Sequence, residues 1–394
     1  MKKALGVIFF GLLAVLSNPL FLGLLTSGNL HSATSLKLWL LSVLFIVLGL
    51  SSLFSRAVKR FSRKYQTAYG LLVSFFVFVF LIIILEFGFH IILSRKSSVP
   101  LNYGEPEMFK DDNILGYKPI ADTAIDGGKV FNGDTIYDVR YVIDEYSRRK
   151  LARPDSGDHL LFFGGSFTFG QGVAQGESFP DIIGHTLNNY QSYNYGFFGY
   201  GPQQMLLNLR RKDFLNEVES EKGMAIYTLI DHHYLRNPPS MRTYMSYGSR
   251  LPFYDFNEDE VLTFYEPMNK SYPGRANLFK FLGGSKILEF VGFEIPNSLS
   301  DRDHKRMARV IIDSRDTYLE LTKPENEFFV VIFPGNAVSK NLIPYLEDAN
   351  IQVMDLSDMA FLTDEEYFYE YDGHPRAKTH KMVAEKILAA LVNE

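Results

Sequence analysis

The chain has 394 residues, enough for two units of ordinary size, and its charge is unevenly divided. Residues 1–94 hold eight Lys/Arg and one acid, Glu86, whereas the other 300 hold 32 Lys/Arg against 44 Asp/Glu; the basic apolar third and the acidic remainder belong in different solvents, and an acidic domain repels nucleic acid. Cysteine is absent, which excludes disulfides, thiolate metal sites and a cysteine nucleophile.

In chain order, three apolar stretches come first, at about residues 4–25, 38–54 and 67–92. Each approaches the ~20 helical residues that cross a bilayer. None carries the polar stripe of a buried soluble helix, so three transmembrane helices are predicted within residues 1–94. Lys2 and Lys3 precede the first, and Arg56, Lys59, Arg60, Arg63 and Lys64 crowd the connection between the second and third. The connection at 27–35 has no basic residue. Basic loops stay on the cytoplasmic side, so the third span exits outward. The chain therefore reads as a multi-pass protein of a bacterial inner (cell) membrane with its C-terminal domain extracytoplasmic. The first stretch also has the Met-Lys-Lys start of a signal peptide, without a convincing cleavage site, and its removal would leave the exit side unchanged. Glu86, the one acid at membrane depth, reads as an interfacial carboxylate near the outer end. Trp39 reads as an interface anchor.

Residues 95–158 read as a connecting segment with a small β extension, because 135–143 alternates in strand fashion. From 159 onward, short and continuously apolar runs at 160–163, 190–195, 224–230, 328–333 and 351–356 are separated by helical lengths of chain. Runs apolar on both faces are parallel strands covered on both sides. Five of them predict a flavodoxin-like, doubly wound α/β domain over 159–394, with its ligand site beyond the carboxyl ends of the strands. Residues 234–300, rich in Tyr, Phe and Pro, break the alternation and read as an insertion. Its Tyr244, Tyr247, Phe253, Tyr254 and Tyr272 are either stacking surfaces for sugars or core. His304 and His380 read as helix-surface residues.

The first apolar run ends in Gly164-Gly165-Ser166-Phe167-Thr168-Phe169-Gly170. Glycines permit a sharp turn that leaves the serine exposed at a strand end. This is not a Walker A loop, lacking Gly-Lys-Ser/Thr, and not a Gly-x-Ser-x-Gly elbow, since Thr168 replaces the second glycine. By itself such a segment is more often only a turn. Near the far end of the chain stands Asp372-Gly373-His374-Pro375, just before a helical run over 377–391. An Asp two residues before a His can hold imidazole Nδ1 while Nε2 faces a serine, or the pair can simply cap the helix. The second run ends in Asn194-Tyr195-Gly196-Phe197-Phe198-Gly199-Tyr200-Gly201, whose backbone N–H groups suit an oxyanion hole. The third ends in Ile230-Asp231-His232-His233. Polar clusters at four strand ends are harder to attribute to coincidence than one.

Gly164-Gly165-Ser166, Asn194-x-Gly196-x-x-Gly199 and Asp372-x-His374-Pro375, in this order, resemble blocks I, II and V of the SGNH (GDSL-type) hydrolase superfamily over 159–394. Asn113-Ile114-Leu115-Gly116-Tyr117-Lys118-Pro119 resembles the lead-in of membrane-tethered members. The single residue between Asp372 and His374 is similar to relatives of the alginate O-acetylation proteins. The resemblance implies an SGNH fold with Ser166 as nucleophile, His374 as base and Asp372 as orienter. It further implies the N–H groups of Ser166 and Gly199 as oxyanion donors. Gly165 stands where many members have Asp. Block III lacks its Asn, and His232 is the candidate for the missing donor. This scheme calls for no cofactor and no metal.

The expected function is a membrane-anchored serine esterase or O-acyltransferase acting on an envelope glycan or lipid, with water or a sugar hydroxyl as acceptor. A second membrane protein that supplies acyl groups is a further expected partner. One alternative is a non-catalytic SGNH-like domain that binds a glycan or partner, favoured by the missing block III Asn. Another is metal-assisted hydrolysis on Asp231, His232, His233, Asp372 and His374.

Overall fold

The computed structural model describes residues 63–94, 99–100, 108–151 and 156–392, with isolated positions nearer the N-terminus. The chain divides into two compact units, Met1–Lys96 with Asn277–Phe293 and Ser97–Ala276 with Glu294–Glu394.

In the first unit a helix runs over Gln66–Ser94. Its stretch Gln66–Leu93 is long and apolar enough to cross a membrane, and it covers the third expected span. The first two expected spans, at 4–25 and 38–54, lie outside the described residues apart from isolated positions, as does Trp39. A short helix, Lys286–Phe290, packs on Gln66–Ser94 within the same unit. That segment was read from sequence as part of the 234–300 insertion; its close packing is with the long apolar helix.

The second unit opens with antiparallel structure. Val99–Pro100 (β1) pairs with Thr123–Phe131 (β4), and Phe109–Asp112 (β2) pairs with Gly116–Pro119 (β3). β4 continues into Asp134–Ile143 (β5) through Asn132-Gly133, both at positive φ (51° and 94°), the backbone that a tight two-residue hairpin demands. The alternating run 135–143 lies within β5.

The parallel sheet follows, formed by Asp158–Phe163 (β6), Tyr190–Asn194 (β7) and Gly223–Leu229 (β8). A two-stranded ribbon, Phe253–Phe256 (β9) with Leu262–Tyr265 (β10), intervenes before Glu327–Ile332 (β11) and Gln352–Asp355 (β12) complete the sheet. Its order is β12-β11-β8-β6-β7, all parallel. This is the flavodoxin-like order, and it reverses between β6 and β8, where a crevice opens at the carboxyl ends of the strands.

Alternate residues of each strand serve opposite cores. Leu161, Phe163, Tyr227, Leu229, Val330 and Ile332 pack with Met205, Met307 and Ile311 on one face. Leu160, Phe162, Ile226, Val331 and Phe333 pack with Phe179, Ile183, Val383 and Ile387 on the other. Complete burial stabilises by roughly 1.5–3 kcal/mol for each such side chain, which is why these runs contain no polar alternation. Of the insertion aromatics, Tyr244, Phe253 and Tyr254 are buried.

Arg149 is the largest fully buried side chain of the unit. Its Nη1 donates to the carbonyls of Phe169 (2.9 Å) and Gly170 (2.7 Å), and Nη2 to those of Val173 (3.1 Å) and Ala174 (2.8 Å). Asp181 lies 3.9 Å from Nε. The Arg149 backbone bridges both Ile143 of β5 and Asn194 of β7. Arg149→Met keeps the stem volume but removes the guanidinium from four carbonyls, those of Phe169, Gly170 and Val173 in buried residues, and from Asp181. Breaking a buried pair in this way costs roughly 3–5 kcal/mol. Urea unfolding of the purified protein is expected to show a loss of that size, and a shift under 1 kcal/mol, on the order of a surface change, would refute the clamp.

Candidate active site

Ser166 follows β6 directly and begins the single helical turn Ser166–Phe169. This places its hydroxyl at the crevice where the strand order reverses. Asp372 and His374 sit in the turn before the helix Ala377–Val392, shaped by the left-handed residues Tyr371 (φ 62°) and Gly373 (φ 75°). Tyr369 N–H donates to the His374 carbonyl at 2.9 Å and Gly373 N–H to the Tyr369 carbonyl at 2.8 Å.

The three side chains meet in series. His374 Nε2 lies 2.9 Å from Ser166 Oγ, and His374 Nδ1 lies 2.6 Å from Asp372 Oδ2. With Asp372 ionised, Nδ1 carries the proton and donates it, so Nε2 accepts from the serine hydroxyl. The Asp372 side chain is fully buried and that of His374 is largely so. Burial pushes the Asp372 carboxyl up, but the hydrogen bond and charge of His374 and the charge of Lys129 outweigh it and hold the group at about 2. The edge of Phe167 packs against the His374 ring at 5.6 Å.

These residues line a cavity of about 620 Å³ with Gly199, His232, Arg236, Tyr247, Arg250 and Lys129. Of the glycine N–H groups offered by sequence, that of Gly196 is taken by Asn194 Oδ1 (3.0 Å) and that of Gly201 by Gln204 Oε1 (2.8 Å). Gly199 is the member of the three that lines the cavity. His232 also lines it, with its ring open to cavity solvent yet surrounded by protein. That surrounding, and next the charge of Arg236, push its pKa below the usual histidine range, leaving a neutral imidazole with one N–H to donate.

Its neighbours are used elsewhere. Asp231 accepts from Ser339 N (2.8 Å), Ser339 Oγ (2.7 Å) and Val338 N (3.2 Å), and buried His233 pairs through Nδ1 with the Tyr227 hydroxyl at 2.7 Å. The five residues of the metal alternative are thus not gathered on one centre, and among the described residues no cluster of three such groups is formed.

Sequence reading missed Lys129, Arg236 and the β4–β5 face. Lys129 makes an ion pair with Asp372 Oδ1. Phe131 stacks on Tyr371 at 3.8 Å, the Tyr137 hydroxyl accepts from Gln171 Nε2 at 2.9 Å, and that of Tyr141 accepts from Gly172 N–H at 2.9 Å. Buried Arg236 donates to the Tyr247 hydroxyl and the Tyr200 carbonyl. The surface assignments of the other histidines need correcting. His380 is wholly buried, stacked on Phe179, with Nδ1 accepting the Phe179 N–H at 3.3 Å. His304 is partly buried and lies 2.9 Å from the Tyr234 hydroxyl.

No protein-family model matches the chain, and no curated protein matches it. Similar solved structures include a member of the lipolytic protein G-D-S-L family from Veillonella parvula, with TM-score 0.35 and 15% identity over 60% of this chain and 99% of that one. A putative lipolytic protein of the G-D-S-L family from Desulfitobacterium hafniense has TM-score 0.29 and 14% identity over 58% and 97%. A carbohydrate esterase, whose active site is described as having divergent catalytic and non-catalytic binding functions, has TM-score 0.35 and 10% identity over 75% and 89%. The chemistry below rests on this chain's own side chains.

Two of the groups make the fold acid-sensitive. Burial, and then the charges of Arg149 and His374, lower His380 to about 3, against about 6.5 for a histidine in the unfolded chain. The unfolded state therefore takes up the proton first. The contribution is complete above about pH 6.5 and is lost as pH falls toward 3. The lowered Asp372 gives the same sign in a narrower window, complete above about 3.9 and lost toward 2. The melting temperature is expected to fall below pH 6.5. His380→Gln, which keeps an acceptor for Phe179 N–H, flattens the upper part of that slope, and Asp372→Asn flattens only the part below about pH 4. An unchanged upper slope in His380→Gln would contradict the assignment.

Proposed function

We propose that the chain is an SGNH-type serine hydrolase of carboxylic esters, or an O-acyltransferase using the same acyl-enzyme. The observation that carries this reading is the continuous relay from Ser166 Oγ through His374 to Asp372. Ser166 Oγ attacks the ester carbonyl carbon while His374 Nε2 takes its proton. The tetrahedral oxyanion is held by the N–H groups of Ser166 and Gly199 and by His232. Collapse expels the alcohol, which receives the proton from His374 and leaves the acyl group on Ser166. Water or a sugar hydroxyl then attacks, again deprotonated by His374, and Ser166 is regenerated.

With Gln66–Leu93 as a span, and with the basic residues Arg56, Lys59, Arg60, Arg63 and Lys64 before it on the cytoplasmic side, the domain works outside the cell membrane on an envelope glycan or lipid. A partner within the membrane would supply acyl groups if transfer is the reaction. The cavity, at about 620 Å³, is in the range that small-molecule sites occupy.

The test is release of p-nitrophenol from its acetate ester by the purified protein. Ser166→Ala is expected to lower kcat by roughly 10⁴–10⁶, and His232→Ala by roughly 10²–10³ with KM little changed. Wild-type turnover no greater than that of folded Ser166→Ala would instead favour a binding module.

A further inference from the structure

The helix Gln66–Ser94 contains one charged side chain along its apolar length, Glu86. The 28 residues Gln66–Leu93 extend about 42 Å at 1.5 Å each, some way beyond a hydrocarbon core of ~30 Å. Counting ~20 residues from Gly70 brings the outer boundary to about Phe89. Glu86 then lies one turn inside it, where an unpaired carboxylate is costly.

It is not left to lipid. Glu86 Oε2 accepts the Lys286 N–H at 2.8 Å, and Oε1 accepts the Ser285 hydroxyl. Ser285 Oγ also accepts the Leu288 N–H at 3.3 Å, so serine and carboxylate together satisfy the start of the helix Lys286–Phe290. One turn further along, the rings of Phe89 and Phe290 pack at a 30° tilt with centroids 4.2 Å apart. Glu86 is thus the polar peg of a docked segment, Asn277–Phe293, which belongs to the same compact unit as the helix.

The outward side of that segment carries a group of apolar side chains beside Lys280 and the exposed Lys286–Glu289 ion pair. Phe281 is 76% exposed, Val291 64% and Phe290 51%, with Leu278 and Phe293 also open. Single exposed apolar residues are ordinary, but a group of this kind marks a binding surface. In the same unit the helix Gln66–Leu93 is also bare, with Leu71, Phe75, Phe78 and Phe87 equally open. The solvent that suits both surfaces is the same one.

We propose that Asn277–Phe293 is seated in the outer leaflet of the bilayer, docked on Glu86 through Ser285 and Lys286, with Phe281, Phe290 and Val291 among the acyl chains. The occupant of this face is lipid. The segment gives the soluble unit a second attachment, remote in sequence from the span. The inference rests on reading Gln66–Leu93 as a span, and the experiment separates the two.

The full chain is reconstituted in phosphatidylcholine vesicles whose acyl chains are brominated either near the headgroup or near the methyl end. The single tryptophan is removed by Trp39→Phe, and Phe281→Trp or Phe78→Trp then places one reporter in the segment or mid-helix. Phe78→Trp is expected to be quenched best by the deep bromines and Phe281→Trp by the shallow ones. In the Phe281→Trp background, Glu86→Leu is expected to remove most of that quenching, while Glu86→Gln, which keeps a carbonyl acceptor, retains it. Quenching of Phe78→Trp with none of Phe281→Trp overturns the seating alone. No quenching of Phe78→Trp overturns the span and the seating with it. Quenching of Phe281→Trp that is indifferent to Glu86→Leu overturns the role of Glu86 as the docking group.

Discussion

A single buried guanidinium holds together the part of the fold on which the site depends. After Ser166 the chain makes one helical turn and then runs irregularly over 170–174. The carbonyls of this stretch need donors, and the loop's own N–H groups reach two, Gly170 from Val173 and Ala174 from Glu177. Arg149 meets four of them with one planar group. Because its backbone is bridged to β5 and β7, the loop is referred to the sheet and to the hairpin at once. The position of the serine hydroxyl is set by this loop as much as by the end of β6.

The hairpin β4–β5 does the corresponding work for the other half of the site. Lys129 pairs with Asp372, Phe131 stacks on Tyr371, and Tyr137 and Tyr141 accept hydrogen bonds from the loop after Ser166. One element therefore touches both the loop that carries the serine and the loop that carries the histidine. Lys129 has an electrostatic consequence as well. It helps to keep a buried carboxylate ionised, and an ionised Asp372 is what fixes the His374 tautomer.

What could be read in the sequence was whatever has a local period. The runs of β6, β8 and β11 were legible because burial on both faces leaves a continuous signature, whereas β7 carries Gln191, Ser192 and Asn194 and β12 exposes Gln352 and Asp355. Ser166, Asp372 and His374 stood out because glycine-rich turns and an Asp-x-His pair are short-range patterns. Arg149, Lys129 and Arg236 had no such signature, since an arginine that clamps carbonyls twenty residues away looks like any other arginine. His380 is different, because its signal was present: it precedes Val383, Ala384 and Ile387 at helical spacing, all of them core. That periodicity placed it on the buried face of the last helix. Likewise Glu86 was visible as an anomaly, but its partners lie about 200 residues on.

Two departures from the SGNH pattern lie side by side at Gly165. A side chain at Gly165 would meet Arg236 Nη1 at 2.6 Å and His233 Nε2 at 3.0 Å. The space beside Gly165 is filled by the segment after β8 and by the Tyr200 carbonyl. The carboxylate beside the serine is gone, and a buried cation and an imidazole stand behind that glycine. Asp231 is drawn away to the Ser339 loop and His233 is held by Tyr227, which leaves His232 as the one member of the triplet with its ring open to the cavity. In the proposed mechanism a positive charge behind Gly165 would favour the developing oxyanion.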